Sequence, residues 1–432
     1  MARIARGLAS AALAWPFSKV VRRLKGLTLL GSTRRKAARP ASPATAVTSL
    51  SAFVAIALAV VLTFAAPVAA APTADWDHVD RVVVFGDLHG DYGKFHDMLV
   101  EAGLVDSHDN WSGGRTHLVQ VGDVPDRAPD TRKILDLLMR LEPQARRAGG
   151  YVHALIGDHE AMNMEGDLRY TTPGEFAAFA DPDSPRRRDA YYERVVAYLK
   201  AHPPPEGIPT FDAAYRATFD AEHPLGWVEH QIAWSAEGVY GQWVLTHRAV
   251  IRINDVLYMH GGLGPSFASY DKAVMNRAVV AALRHEPEPP GAPHDILWAE
   301  EGPLWYRGFA QHAEASEAPN VSAVLAAANV NRVVVGHTKQ YPYVNARFDG
   351  RVILTDIAPP LGCPEPHAFL IEQGDALTAV HRGVAVPLGV SGQAQADYLS
   401  RIVDIDRAAG CSITSIAPAA PAAPSGSNGS GR

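Results

Sequence analysis

The chain has 432 residues, of which 47% are hydrophobic and 20% charged, and this length can bury a large core. Its formal net charge is −6, but the charges are distributed unevenly along the chain. The first acidic residue is Asp75, and ten basic residues precede it. From Asp75 onward, 30 Lys and Arg stand against 46 Asp and Glu. This excess of acidic residues after Asp75 argues against nucleic acid as a partner, since phosphate backbones bind basic surfaces.

Residues 1–74 have the pattern of a secretory signal or a membrane anchor. Basic residues precede an apolar run over residues 52–66, and small residues follow it. We expect this segment to be cleaved, with retention as an anchor as the alternative. The protein beyond it is then exported, to the periplasm or outside the cell, and would touch the membrane only through an uncleaved segment.

The two cysteines, Cys363 and Cys411, make neither a disulfide framework nor a zinc-finger spacing. One disulfide in an oxidising compartment and two unpaired thiols both fit the sequence.

The first part of the body alternates strands and helices. Apolar runs predict strands over residues 82–85, 117–121 and 151–156. Helical periodicity predicts helices between them, over residues 92–102 and 131–147. The repetition predicts parallel strands joined by crossover helices, in an α/β fold.

Residues of about 164–242 break this rhythm, and we interpret them as a helical insertion over the site. The core is expected to resume with residues 243–245 and 249–253. Later strands are predicted over the following ranges: 256–259, 332–335, 351–355, 367–371 and 377–381. The domain of residues 75–385 would be followed by a helical extension over 386–416 and a disordered tail over 417–432.

Acidic and imidazole side chains stand just after five of the predicted strands. They are Asp87 with His89, Asp123, Asp158 with His159, His260, and His337. Open α/β sheets place ligands at the carboxyl ends of their strands, so these loops are expected to meet. Oxygen and imidazole donors without thiolates suit two divalent ions of Mn, Fe or Zn.

The number of candidate ligands is large enough for two metal ions. Asp87, His89 and Asp123 would hold one, and Asp123, Asp158, His260 and His337 the other. With Asp123 as the bridge, a hydroxide between two ions about 4 Å apart would attack phosphorus in line.

Three neighbouring residues complete the predicted chemistry. The guanidinium of Arg127 matches phosphate oxygens, and His159 is placed to protonate the leaving oxygen. Asp126 would hold the His159 ring charged. Two further histidines, His153 and His247, follow no strand end of this kind, and we interpret both as structural.

Taken together, these motifs resemble those of calcineurin-like metallophosphoesterases, and more closely the phosphoprotein phosphatase branch. The matching stretches are Gly86-Asp87-Leu88-His89-Gly90, Gly122-Asp123-Val124-Pro125-Asp126-Arg127, Gly157-Asp158-His159-Glu160, His260-Gly261-Gly262 and Gly336-His337. The stretch Gly302-Pro303-Leu304-Trp305-Tyr306-Arg307 is similar to the Shewanella-like phosphatases, in which the matching Arg contacts the substrate phosphate.

This resemblance implies a central β-sandwich flanked by helices, a dinuclear centre and hydrolysis of phosphomonoesters. It also implies that Arg307 contacts phosphate and that phosphotyrosine is a preferred substrate. The expected partner is a phosphorylated protein or a small phosphoester. Two alternatives remain open: a diadenosine-polyphosphate or nucleotide hydrolase on the same fold, and a metal-binding module with weak activity.

The sequence departs from the family pattern at three places. Asp158 stands where the family has Asn, and an ionised carboxylate cannot donate a hydrogen bond to phosphate. Ala128 replaces a Gly, so its loop is expected to differ in shape. The run after Asp356 lacks the expected glycines.

Overall fold

The computed structural model describes residues 74–205, 207–339, 341–357, 363 and 366–411. The predicted signal or anchor, apart from Ala74, and the predicted tail lie outside these residues, as do residues 358–362, most of the run just after Asp356.

The elements are numbered here in chain order. The strands are β1 (Asp75–Trp76), β2 (Arg81–Phe85), β3 (His117–Gln120), β4 (Tyr151–Ala154), β5 (Val250–Ile253), β6 (Val256–Met259), β7 (Arg332–Val335), β8 (Asn345–Arg347), β9 (Val352–Leu354), β10 (Ala368–Gln373), β11 (Ala376–His381) and β12 (Val384–Pro387). The helices are α1 (Tyr92–Glu101), α2 (Thr131–Arg147), α3 (Asp158–Glu165), α4 (Pro173–Ala177), α5 (Ser184–Ala201), α6 (Ala213–Glu222), α7 (Trp227–Trp234), α8 (Val239–Val244), α9 (Lys272–Leu283), α10 (Gly308–Gln311), α11 (Glu314–Ala328) and α12 (Gly392–Ala408).

These strands form two mixed sheets. One has the order β1-β5-β6-β7-β9-β8, and the other β12-β11-β10-β2-β3-β4. Strands β2, β3 and β4 run parallel, as the alternation of strands and helices predicts. Strands β6, β7 and β9 are likewise parallel in the other sheet, so the loops that follow β7 and β9 leave the same edge of that sheet.

Alternating side chains of β2 show how the layers pack. Val82 and Val84 share a buried cluster with Tyr258 and Val334 of the other sheet, whereas Val83 belongs to a second cluster that includes residues of the helices. Successive side chains of a strand point to opposite faces, so one face of the sheet meets the second sheet and the other meets the helices. The predicted β-sandwich flanked by helices is confirmed.

Helices α4 to α8 occupy the region predicted as an insertion. The first residues of that region contact the loop of Asp126 and Arg127. The backbone N–H of Arg127 donates to the carbonyl of Tyr170 at 3.0 Å, and the Thr171 hydroxyl donates to Asp126 at 2.8 Å. Residues 243–245 lie in the buried core, as predicted, but Trp243 and Val244 end helix α8 and form no strand. A three-residue apolar run does not distinguish a strand from a buried helix.

The described part of the chain ends with β12 and helix α12, and a disulfide joins Cys363 to Cys411 just beyond that helix. Of the two alternatives for the cysteines, the structure therefore has the disulfide. Within the described ranges, no helix is both long and apolar enough to cross a membrane.

Candidate metal centre

Six predicted ligands converge where the two sheets end. Asp87, His89, Asp123 and Asp158 follow strands β2, β3 and β4 of one sheet, while His260 and His337 follow β6 and β7 of the other. All six side chains are buried. The structure thus brings together every residue that the strand-end pattern predicts as a ligand.

The larger group of potential donors contains Asp123, Asp158, His260 and His337, whose donor atoms all lie within 4.8 Å of one another. His260 Nε2 lies 2.8 Å from Asp158 Oδ1 and 3.2 Å from Asp123 Oδ1. His337 Nδ1 lies 3.1 Å from Asp158 Oδ1. Two carboxylates and two imidazoles at these separations fit one divalent cation.

A second group uses the other oxygen of Asp123. His89 Nε2 lies 3.7 Å from Asp123 Oδ2 and 3.5 Å from Asp87 Oδ2. That nitrogen is buried and has no hydrogen-bond partner among the described residues, while Nδ1 of the same ring is 3.2 Å from the carbonyl of Pro125. A ligating histidine uses one nitrogen for the metal and fixes its ring through the other, so this arrangement fits a second ion with Asp123 shared.

The protonation of these groups reflects their crowding. Burial would raise the pKa of Asp158, but hydrogen bonds from His260 and His337 hold it well below its usual range. Burial would lower the pKa of His260, yet Asp123 and Asp158 raise it well above its usual range. Together with the charge of Asp87, these two carboxylates hold a proton on the imidazole of His260, which a divalent ion would replace.

Several site residues have a left-handed backbone that non-glycine residues seldom adopt. The φ angle is +47° at His89, +63° at Asp123, +75° at Asp126, +69° at Arg127 and +66° at His337. Such conformations cost about 1–3 kcal/mol each and persist only where the surroundings impose them. Their concentration in these loops marks the region as a functional site.

Glu160 is the anchor that holds two of these loops together. Its carboxylate accepts hydrogen bonds from the backbone N–H groups of Asp123 (2.9 Å), Val124 (2.8 Å) and Gly157 (2.8 Å). Burial and the nearby Asp123 carboxylate raise the pKa of Glu160 to about 7. In the sequence, Glu160 stands out only as part of the Gly157-Asp158-His159-Glu160 motif. Its anchoring role becomes visible only in the structure.

His159 and Asp126 form the predicted pair. His159 Nδ1 lies 2.6 Å from Asp126 Oδ2, and the Asn163 amide donates to the same oxygen at 3.0 Å. Burial would lower the pKa of His159, but the charge of Asp123 and the hydrogen bond to Asp126 raise it to about 9. The metal-free site therefore favours the protonated ring that a general acid needs.

The two predicted phosphate-binding arginines lie beside the centre. Arg127 is exposed, its Nη2 lies 3.2 Å from His159 Nε2, and its guanidinium lies 5.6 Å from the centre of the Tyr170 ring. Arg307 is half-buried and donates from Nη1 to the carbonyl of His337 at 2.9 Å. Both guanidinium groups therefore lie where they could contact an anionic substrate.

The two histidines interpreted as structural lie outside the donor groups, and Ala128 has an ordinary backbone. His153 Nε2 lies 3.0 Å from His117 Nδ1, and His247 Nε2 lies 3.1 Å from Glu142 Oε1; neither belongs to a donor group found among the described residues. Ala128 has no left-handed φ, so its backbone does not require the glycine that it replaces.

Comparison with known proteins decides the family. The sequence model of the calcineurin-like phosphoesterase family matches residues 80–341 of this chain. The chain belongs to the calcineurin-like phosphoesterase family. It is 32% identical to an uncharacterized protein of Schizosaccharomyces pombe, over 71% of this chain and 82% of that protein. It is also 32% identical to Shewanella-like protein phosphatase 2 of Arabidopsis thaliana, over 66% of this chain and 73% of that protein.

A solved structure supports the same placement of this calcineurin-like phosphoesterase. A cold-active protein-tyrosine phosphatase of a psychrophilic Shewanella species is 28% identical, covers 73% of this chain and 82% of its own, and superposes with a TM-score of 0.55. The chain is therefore a hydrolase with Shewanella-like phosphatase relatives, and its buried Asp and His cluster fits the dinuclear centre of the family.

Proposed function

We propose that this calcineurin-like phosphoesterase removes phosphate from phosphotyrosine in proteins and from related aryl phosphates. The observation that supports the proposal most directly is the shared Asp123, whose two oxygens face two separate donor groups beside the His159–Asp126 pair. Its similarity to a protein-tyrosine phosphatase points the same way.

In this proposal Asp87, His89, Asp123, Asp158, His260 and His337 hold two divalent ions of Mn, Fe or Zn. Bound there, the ions supply the charge that activates a water nucleophile and neutralises phosphoryl oxygens. The guanidinium groups of Arg127 and Arg307 bind and orient the phosphate. His159, held by Asp126 through Nδ1, donates its Nε2 proton to the leaving oxygen.

Tyr170 supports the preference for an aryl substrate. Its side chain is 45% exposed, although its ring lies 5.1 Å from that of His159 and next to the Arg127 guanidinium. An exposed aromatic face beside the general acid can pack against the ring of a phosphotyrosine, and such ring pairs contribute about 0.5–1.5 kcal/mol beyond their buried area.

The proposal is tested by measuring phosphate release from matched phosphotyrosine and phosphoserine peptides and from a diadenosine polyphosphate, with metal-loaded protein. We expect the highest kcat/KM on the phosphotyrosine peptide, and Tyr170→Ala to reduce this preference several-fold without changing the rate on the phosphoserine peptide. Faster hydrolysis of the dinucleotide, or no hydrolysis of any phosphoester, contradicts the proposal.

We also propose that the protein is exported. The signal-like pattern of residues 1–74 and the Cys363–Cys411 disulfide support this, because disulfides persist in oxidising compartments. Cell fractionation with sequencing of the mature N-terminus tests it, and a cytoplasmic protein that begins at Met1 contradicts it.

A further inference from the structure

Asp356 occupies the same kind of position as the predicted ligands, at the end of a buried strand. It comes two residues after β9, which lies beside β7 in the sheet, and the N–H of Thr355 still donates to the carbonyl of Val335 at 2.8 Å. The loop of the first two ligands packs directly on it, because a Cβ on Gly86 would lie 2.3 Å from the carbonyl oxygen of Thr355. Asp356 is thereby fixed next to Asp87.

The environment of Asp356 lacks what a buried carboxylate requires. The residue is 3% exposed, and neither of its carboxylate oxygens has a hydrogen-bond partner among the described residues. Lys94 and Lys339 are its neighbouring cations, and neither forms an ion pair with it among the described residues. Lys94 Nζ donates instead to the backbone carbonyl of Asp87 at 3.4 Å. A buried charge without a partner costs several kcal/mol, so this arrangement calls for a cation.

A second unpaired atom belongs to the same site. His89 Nε2 is buried without a hydrogen-bond partner among the described residues, and Oδ2 of Asp87 faces it at 3.5 Å. An unpaired imidazole nitrogen and an unpaired carboxylate, both beside the loop of Asp87, indicate a missing positive charge.

We infer that Asp356 is a further carboxylate of the metal site formed by Asp87 and His89, and that it strengthens the binding of the divalent ion there. The inference rests on the metal centre of the proposed function but not on the reaction or the substrate. It makes Asp356 a residue that positions and compensates the ion, and it adds a sixth strand end to the five that the sequence identifies.

The test uses the full chain, stripped of metal and titrated with Mn²⁺ alone by calorimetry, with bound metal counted by mass spectrometry. Removing a group that supports a metal ligand typically lowers affinity about 10- to 100-fold. We expect Asp356→Asn to show this loss at one of two sites. The metal-free variant should unfold at the same temperature as wild type or higher, because an unpaired buried carboxylate has been removed. Asp375→Asn, at an exposed hairpin position, is the matched control.

A double-variant cycle assigns the loss to one site. In a His89→Asn background, Asp356→Asn should weaken binding little further, whereas in a His337→Asn background it should have its full effect. Asp356→Ser, which is also neutral but smaller, repeats the measurement if the Asn variant folds poorly.

Unchanged affinity at both sites overturns the inference, and so does a large fall in the unfolding temperature of both metal-free variants, which would make Asp356 structural. The proposed function fails separately. If the wild-type protein binds two ions but hydrolyses no phosphoester, the proposed reaction is wrong, whereas the inference about Asp356 still holds.

Discussion

At the scale of single residues, Asp158 is the departure from the family pattern with the clearest chemical consequence. Its Oδ1 lies within 3.1 Å of both His260 and His337, at the centre of the larger donor group. A carboxylate there adds a negative charge, which favours cations and disfavours an anionic substrate, and an ionised carboxylate has no hydrogen to donate to phosphate.

Asp158→Asn should therefore weaken metal binding and, at saturating metal, lower the KM for a phosphopeptide while preserving or raising kcat. Steady-state kinetics with metal occupancy measured in parallel checks this, with the exposed Asp97→Asn as control. A kcat reduced more than tenfold with both ions bound contradicts this role of Asp158.

The role of His159 predicts a dependence on the leaving group. His159→Ala should slow hydrolysis of an alkyl phosphate by about 10²–10⁴-fold and of an activated aryl phosphate much less, because a good leaving group hardly needs a proton. His294→Ala, at an exposed histidine, should change neither rate. Equal losses on both substrates would mean that His159 serves position or metal binding instead of proton transfer.

The sequence predicts the ligands well and their supports poorly, for a physical reason. Asp87, Asp123 and His260 each follow an apolar strand within three residues, so a local pattern reveals them. Glu160 acts through contacts with residues 36 and 37 positions away, and Asp356 follows β9 just as the ligands follow their strands but matches no quoted motif. The strand-end rule, applied without motifs, would have identified Asp356.

At the scale of elements, long periodic segments are predictable and short edge strands are not. Helix α2 has the predicted bounds, Thr131–Arg147, because its buried side chains recur at helical spacing. Strands β1, β8 and β12 were not predicted; they have two to four residues, and each lies at the edge of its sheet. Such strands depend on pairing with a distant partner more than on their own composition.

The parallel pair β3–β4 carries a pH-dependent contribution to stability. Burial lowers the pKa of His117 to about 4, and burial with the neighbouring His117 lowers that of His153 well below its usual range. In an unfolded chain such a ring titrates near 6.5. Between about pH 6.5 and 4 the unfolded state therefore binds protons that the folded state does not, and stability falls as the pH falls.

Urea unfolding at pH 7.5, 6 and 5 measures this fall. His117→Gln should flatten the slope between pH 6.5 and 5, because one neutral buried ring no longer has to be charged on unfolding. An unchanged slope would contradict the contribution of His117.

At the scale of the whole molecule, the Cys363–Cys411 disulfide fastens the end of helix α12 to the region that follows β9. The bond closes a loop of 48 residues, for which chain entropy predicts about 4 kcal/mol of stabilisation. Arg382 Nη2 lies 3.1 Å from Cys363 Sγ, and Arg382 Nε lies 2.6 Å from the carboxylate of Asp406 on α12. These contacts reinforce the same attachment.

Reduction, or the Cys363→Ser and Cys411→Ser double variant, should lower the unfolding temperature by several degrees and leave the affinity for two Mn²⁺ ions unchanged. Calorimetric unfolding with and without a reductant checks this. An equal unfolding temperature in both states would show that the disulfide adds nothing to the stability of the fold.

Asp123 contributes to both donor groups, and we propose that the enzyme needs an ion at each group to transfer the phosphoryl group to water. The most direct measurement titrates metal-stripped full-length protein with Mn²⁺ while following bound metal and phosphate release from a phosphotyrosine peptide together. We predict two ions per chain, with the rate rising to its plateau only as the second equivalent binds. A plateau reached with one ion per chain, or hydrolysis in the metal-stripped protein, would contradict the account.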